Sequence, residues 1–438
     1  MSRLLLKGTR WALALLIVLG FVWSDSAILV QPVAAQMGMG GNGIVCTSMP
    51  GTSPVFTLTT RTGYIGTPDD NVIYMWGFSA GMAFQHPSPI LCVNEGDTVT
   101  VIVNNTLPED VSIMFPGQDN VLANGAPAQP QFDGGGSLTS LTNVAMANGG
   151  SMTYSFVASH PGTFIYESGT NPAKQVNMGL FGAIIVRPTL GANFVNNRLD
   201  SQFNPDEEFL VLFSSIDPYL NQAVEQQVVY SKPFAFNLNN FKSRYWMING
   251  RGFPDTLAPN FASWLPSQPY GALARVHPYV DGTSLPALDR FVNVGTDVVP
   301  MHPHAKNALI LNKDGRPVEG ELGEDLSWEN FSVPVGPGET YDGLFKWRNA
   351  ENYDRVTNPV PITVPIMQNM VYGMLWSGSP YLGVNGPFPV GATPMTECGE
   401  YYIIAHNHAL FQIASWGIVM TGPITFLRVD PPLPNSCP

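Results

Sequence analysis

At 438 residues the chain is long enough for two or three domains, and 45% apolar residues supply a core for each. Its formal charge of −13 argues against nucleic acid and anionic lipid as partners. Only 12% of residues are charged, against 43 Gly and 39 Pro, and no segment of respectable length carries a helical period. Strand-like runs separated by turn signals predict an all-β chain.

The first element reads as a leader. Arg3, Lys7 and Arg10 precede the apolar run Trp11–Trp23, which at 13 residues is short for a bilayer span and suits a signal-peptide core. Val33-Ala34-Ala35 offers small residues for cleavage before Gln36. Residues 1–35 are therefore expected to leave an exported protein, periplasmic or extracellular, with no membrane segment of its own. Loss of three cations and Asp25 takes the charge from −13 to −15. Residues 36–44 are Gly- and Met-rich; they read as a flexible terminus, with Met37 and Met39 as weaker candidates for Cu(I) thioether ligands. Four cysteines, Cys46, Cys92, Cys398 and Cys437, suit two structural disulfides in an oxidising compartment. Three pairings are open; Cys46–Cys92 with Cys398–Cys437 is favoured because each closes a loop within one half.

Residues 45–188 read as one β-sandwich, with strands over Val55–Thr60, Thr98–Asn104, Ser151–Val157 and Phe181–Val186. Residues 189–204 are polar and turn-rich and read as a linker. Residues 205–438 open with the strand Glu208–Phe213 and include a hairpin over Ser332–Trp347 that turns at Gly336-Pro337-Gly338. A Pro- and Gly-rich insertion over 348–396 is expected to form an interface or a lid.

Two His-x-His pairs stand out among seven histidines: His302-Pro303-His304 and His406-Asn407-His408. Alternate residues of a strand share a face, so each pair can aim both imidazoles at one point. Imidazole suits Cu, Zn, Fe and Ni. Four polar residues on ordinary strands is an equally weighted reading. His86, His160 and His277 each precede a proline and read as loop residues.

Several phrases resemble the multicopper oxidases. Cys92–Gln118 and Pro161–Gly169, PGTFIYESG, are similar to the first cupredoxin domain of that family, where His-Trp-His-Gly and Tyr-His-Ser-His bind copper. Here Met114, Pro116, Glu167 and Gly169 stand at the four histidine positions. Leu288–Leu311 resembles the segment carrying His-Pro-x-His-x-His-Gly-His, with Val299 at the first histidine, His302 and His304 at the next two, and Lys306 at the fourth. Tyr401–Gly417 resembles the His-Cys-His-x-x-x-His segment, with Asn407 at the cysteine, Gln412 at the last histidine and Gly417 at the axial position.

The resemblance implies two cupredoxin-like Greek-key β-sandwich domains. It implies a copper site reduced to His302, His304, His406 and His408, with Glu167 as a candidate further ligand. Without the cysteine, no type 1 copper and no laccase-type activity are expected. It also implies a homo-oligomer, a trimer in two-domain members, with sites formed where subunits meet. Three functions stay open: a copper protein with at most limited oxidoreductase activity, a non-catalytic copper sequestration or delivery module, and a metal-free structural or assembly protein.

Overall fold

The computed structural model describes residues 42–435 apart from 305, 351, 353–366, 370–373 and 377–399. The leader, Met37, Met39, Cys398, Cys437 and most of the 348–396 insertion lie outside the described residues.

The first half forms two facing sheets. One holds Cys46–Thr47, Ile90–Asn94, Phe181–Arg187 and Gly162–Glu167 in that spatial order. The other runs Val72–Ser79, Val55–Gly66, Thr98–Asn104 and Ser151–Val157, extended by the short pairs Leu122–Ala123 and Ala126–Pro127. The second half repeats the plan. One sheet runs from Tyr245–Ile248 through Glu208–Ile216, Ala287–Asn293 and Thr340–Phe345 to Ala308–Lys313. Its partner sheet contains Ala274–Val276, Ile424–Val429, Tyr401–Asn407, Val299–Pro303 and Val333–Val335. The sheets are mixed rather than purely antiparallel: Val55–Gly66 runs parallel to Thr98–Asn104, and Glu208–Ile216 runs parallel to Ala287–Asn293.

Residue pattern explains which strand sits where. Val55–Gly66 and Thr98–Asn104 alternate between buried and exposed positions, as strands with one wet face must. Phe181–Arg187 and Glu208–Ile216 are apolar almost throughout and buried on both faces. The cause is the contact between the two sandwiches. Ile90, Ile165, Phe181 and Ile185 of the first half pack against Leu210, Leu212, Val292 and Val294 of the second.

Buried charges fix the same contact. Arg290 is fully buried and donates to Glu208 at 2.5 Å, to Asp342 at 3.0 Å and to Thr163 of the first sandwich at 3.1 Å. Arg187, also from the first sandwich, donates to both Glu208 oxygens at 2.6 and 2.8 Å. Burial alone would raise the Glu208 carboxyl; the two guanidinium charges reverse that and hold it below the usual carboxylate range. The Cys46–Cys92 disulfide forms as expected and ties the first described strand to its neighbour.

One expectation needs correction. An 11-residue helix, Pro218–Val228, does form. Asp217 caps it by accepting from the Tyr219 amide, Pro218 takes the first helical position, and Leu220 and Val224 enter the core of the first sandwich. With the partly buried Val228 these anchors recur every four residues, but a single polar-rich run of 11 residues leaves that period weak in the sequence. His86 does lie in a loop, but it is fully buried against the edge of the Phe181 ring, between Gly179 of the first sandwich and Gly250 of the second. Neither of its ring nitrogens has a hydrogen-bond partner among the described residues.

Burial pushes the His86 pKa down to about 3, so the folded protein keeps this ring neutral. Below about pH 6.5 the unfolded chain takes up a proton here that the folded one refuses. Stability is then lost as pH falls from about 6.5 toward about 3, by roughly 1.4 kcal/mol per pH unit. His86→Leu should flatten that part of the wild-type profile by this amount in denaturant unfolding at pH 4.5 to 6.5. An unchanged slope would show that His86 titrates normally.

Candidate metal centre

The site is built by one strand pairing. Val299–Pro303 runs antiparallel to Tyr401–Asn407, with Met301 opposite Asn407 and His302 directly opposite His406. Alternation then sorts the side chains. Val299, Met301 and Ala405 enter the core, while His302, His304 and His406 occupy the other face, half-buried, with His408 exposed. The chain beyond each strand is held in step, because the His304 amide donates to Ile404 O at 3.0 Å and the His408 amide to Pro300 O at 2.8 Å.

The four rings gather. The ligand nitrogens of His302, His304 and His406 all lie within 4.8 Å of one another. The ring of His408 stands 5.1 Å from that of His302 and stacks 5.5 Å from that of His406. His302 Nδ1 is 2.7 Å from Phe331 O, and His406 Nδ1 is 3.0 Å from Asn407 O. A carbonyl only accepts, so both Nδ1 atoms carry the proton and each Nε2 keeps its lone pair. His304 Nε2 lies 3.1 Å from His406 Nε2, so the latter can accept a proton from His304 or share an ion with it. Burial, then the neighbouring imidazoles, lowers the His304 pKa to about 4; burial also lowers that of His406. Both are therefore neutral near pH 7, as metal ligation requires. Carbonyl-anchored imidazoles with free lone pairs fit a metal ion.

The other ligand positions of the resemblance are filled differently. Asn407 is fully buried and donates to Gln412 Oε1, while Gln412 Nε2 donates to Val298 O at 3.3 Å. Lys306 turns inward to pair with Asp289 at 2.9 Å, its pKa driven down to about 8 by burial. In the first sandwich Met114 and Glu167 pair through their backbones, and Pro116 is exposed. A Cβ at Gly169 would sit 2.8 Å from Met114 Cγ, so no larger side chain fits there with Met114 in place. Glu167 is half-buried, its carboxyl raised by desolvation, and lies outside the three-histidine group. His160 lies beside Asp119 at 3.4 Å and His277 beside Glu207 at 2.9 Å; neither belongs to the cluster. The Phe331 carbonyl that orients His302 carried no sequence signal, since any residue supplies a carbonyl.

The chain also resembles known proteins. Residues 75–190 match the family model described as multicopper oxidase. An L-ascorbate oxidase of Cucurbita maxima is 30% identical over 301 residues, covering 63% of this chain and 45% of its own. One from Cucurbita pepo var. melopepo is 27% identical over 275 residues, covering 60% and 46%. The chain is similar to members of the multicopper oxidase superfamily. It spans less than half the length of these curated relatives. Among solved structures, the multicopper oxidase mgLAC aligns with a TM-score of 0.55 at 20% identity over 86% of each chain. The blue copper oxidase from Nitrosomonas europaea aligns at 0.53 and 20%, over 86% and 85%. At these identities the structural likeness establishes the cupredoxin fold and no more.

Replacing His304 and His406 together by alanine should abolish stoichiometric copper uptake, read by metal analysis after reconstitution. The unfolding temperature should move by only a few degrees, because both rings lie on the outer face of their sheet. Unchanged uptake would place the metal elsewhere.

Proposed function

We propose that this protein is an exported, copper-binding member of the superfamily whose copper site is reduced to histidines, with at most limited oxidoreductase activity. The observation that carries the reading is the convergence of three imidazoles within 4.8 Å, two of them anchored through Nδ1, beside an asparagine where the family places its cysteine. His302, His304 and His406 would hold the ion, with His408 the nearest further imidazole. Bound copper would supply one-electron redox chemistry.

Two features set the limits. An amide and an alkyl side chain cannot replace a thiolate, and Asn407, Gln412 and Val299 leave no sulfur at the type 1 position. Four imidazoles fall short of the set that holds a trinuclear cluster, so phenol oxidation coupled to four-electron oxygen reduction is not expected. Glu167 is the one carboxylate at a first-domain ligand position. Its raised pKa and half-buried setting suit a group awaiting a cation, and we place that cation at the histidines of a neighbouring subunit in a homotrimer.

The copper-loaded protein should bind about one copper per chain and lack the intense visible band of a cysteine–copper bond. A strong blue colour would refute the reading. In solution the mass should be three times that of one chain; a strictly monomeric protein would remove Glu167 from the site and leave the histidines as its only ligands.

A further inference from the structure

Asn407 and Gln412 do more than occupy a vacated position. Asn407 is the residue between His406 and His408, and its side chain points to the opposite face, into the sandwich. There its Oδ1 accepts from the Ala409 amide at 2.9 Å and its Nδ2 donates to Gln412 Oε1. Gln412 is also buried, and its Nε2 donates to Val298 O, one residue before the strand that carries His302. Two buried side chains thus link the segment of His406 and His408 to the segment of His302 and His304. The link runs behind the sheet while the rings meet in front of it.

The geometry matters most for His408. Its residue lies just past the end of its strand, its ring is exposed, and it is not one of the three rings whose nitrogens are already grouped. Two hydrogen bonds among the described residues hold its backbone most directly. One is its own amide bond to Pro300 O at 2.8 Å, and the other is the turn closed by Asn407 Oδ1 on the following amide. The 3-10 turn Leu410–Gln412 carries Gln412 back under Asn407 and completes the second restraint.

We infer that Asn407 and Gln412 are positioning residues: a buried amide pair that sets the spacing of the two histidine segments and brings His408 to the metal as its fourth imidazole. This rests on the copper reading of the site. Neither amide touches the ion; both act through the backbone that carries the imidazoles. Partners of this kind contribute about 10- to 100-fold to metal affinity in other sites.

The test separates positioning from folding. Asn407→Leu alone strands the buried Gln412 amide and should lower the unfolding temperature. Asn407→Leu with Gln412→Met removes the amide that the single change strands and should recover part of that loss, the Ala409 amide and Val298 carbonyl losing their side-chain partners. Copper titration and the Cu(II) paramagnetic resonance spectrum are then compared between wild type and the double variant. The expected result is a double variant that still folds, binds copper at least about 10-fold more weakly, and loses the nitrogen coupling of one imidazole. Wild-type affinity and an identical spectrum in the double variant would overturn the inference and leave the copper reading standing. Failure of the wild type itself to take up copper would end both.

Discussion

The structure depends on one strand pairing, in which His302 of Val299–Pro303 lies opposite His406 of Tyr401–Asn407. A slip of one residue in the first strand would send His302 toward the core and bring Met301 out; a slip in the second would do the same to His406 and Asn407. Apolar burial of Val299, Met301 and Ala405 forbids either slip, so the packing of one face fixes the chemistry of the other. The imidazoles are thereby preorganised by hydrophobic contacts they do not themselves make.

The same economy operates between the sandwiches. Strands buried on both faces meet at a shared apolar layer, and the Arg187, Glu208, Arg290 and Asp342 charges are neutralised within it. Such networks add little net stability but are costly to break, because removal of one member leaves its partners charged and dry. Chain economy also shows in the helix Pro218–Val228, which belongs to the second half by sequence and to the first core by packing.

Much of this was legible in the sequence, and the exceptions share a cause. Alternation in Thr98–Asn104 and continuous apolarity in Phe181–Arg187 report the burial of a strand's own faces, which is local information. The His-x-His spacing likewise reports a shared face. The partner on that face is not local: no pattern near His302 announces the Phe331 carbonyl, and none near Asn407 announces the Val298 carbonyl. His86 looks like any loop histidine until two sandwiches close over it. Lys306 falls at a ligand position by alignment, yet Asp289 on the facing sheet draws it inward.

On the proposed reading, what separates this chain from an electron-accepting multicopper oxidase is the atom next to copper. X-ray absorption at the copper edge of the reconstituted protein reads that atom directly. The account predicts a first shell of nitrogen and oxygen with the outer scattering of imidazole rings, and no sulfur. A copper–sulfur distance in that spectrum would contradict it.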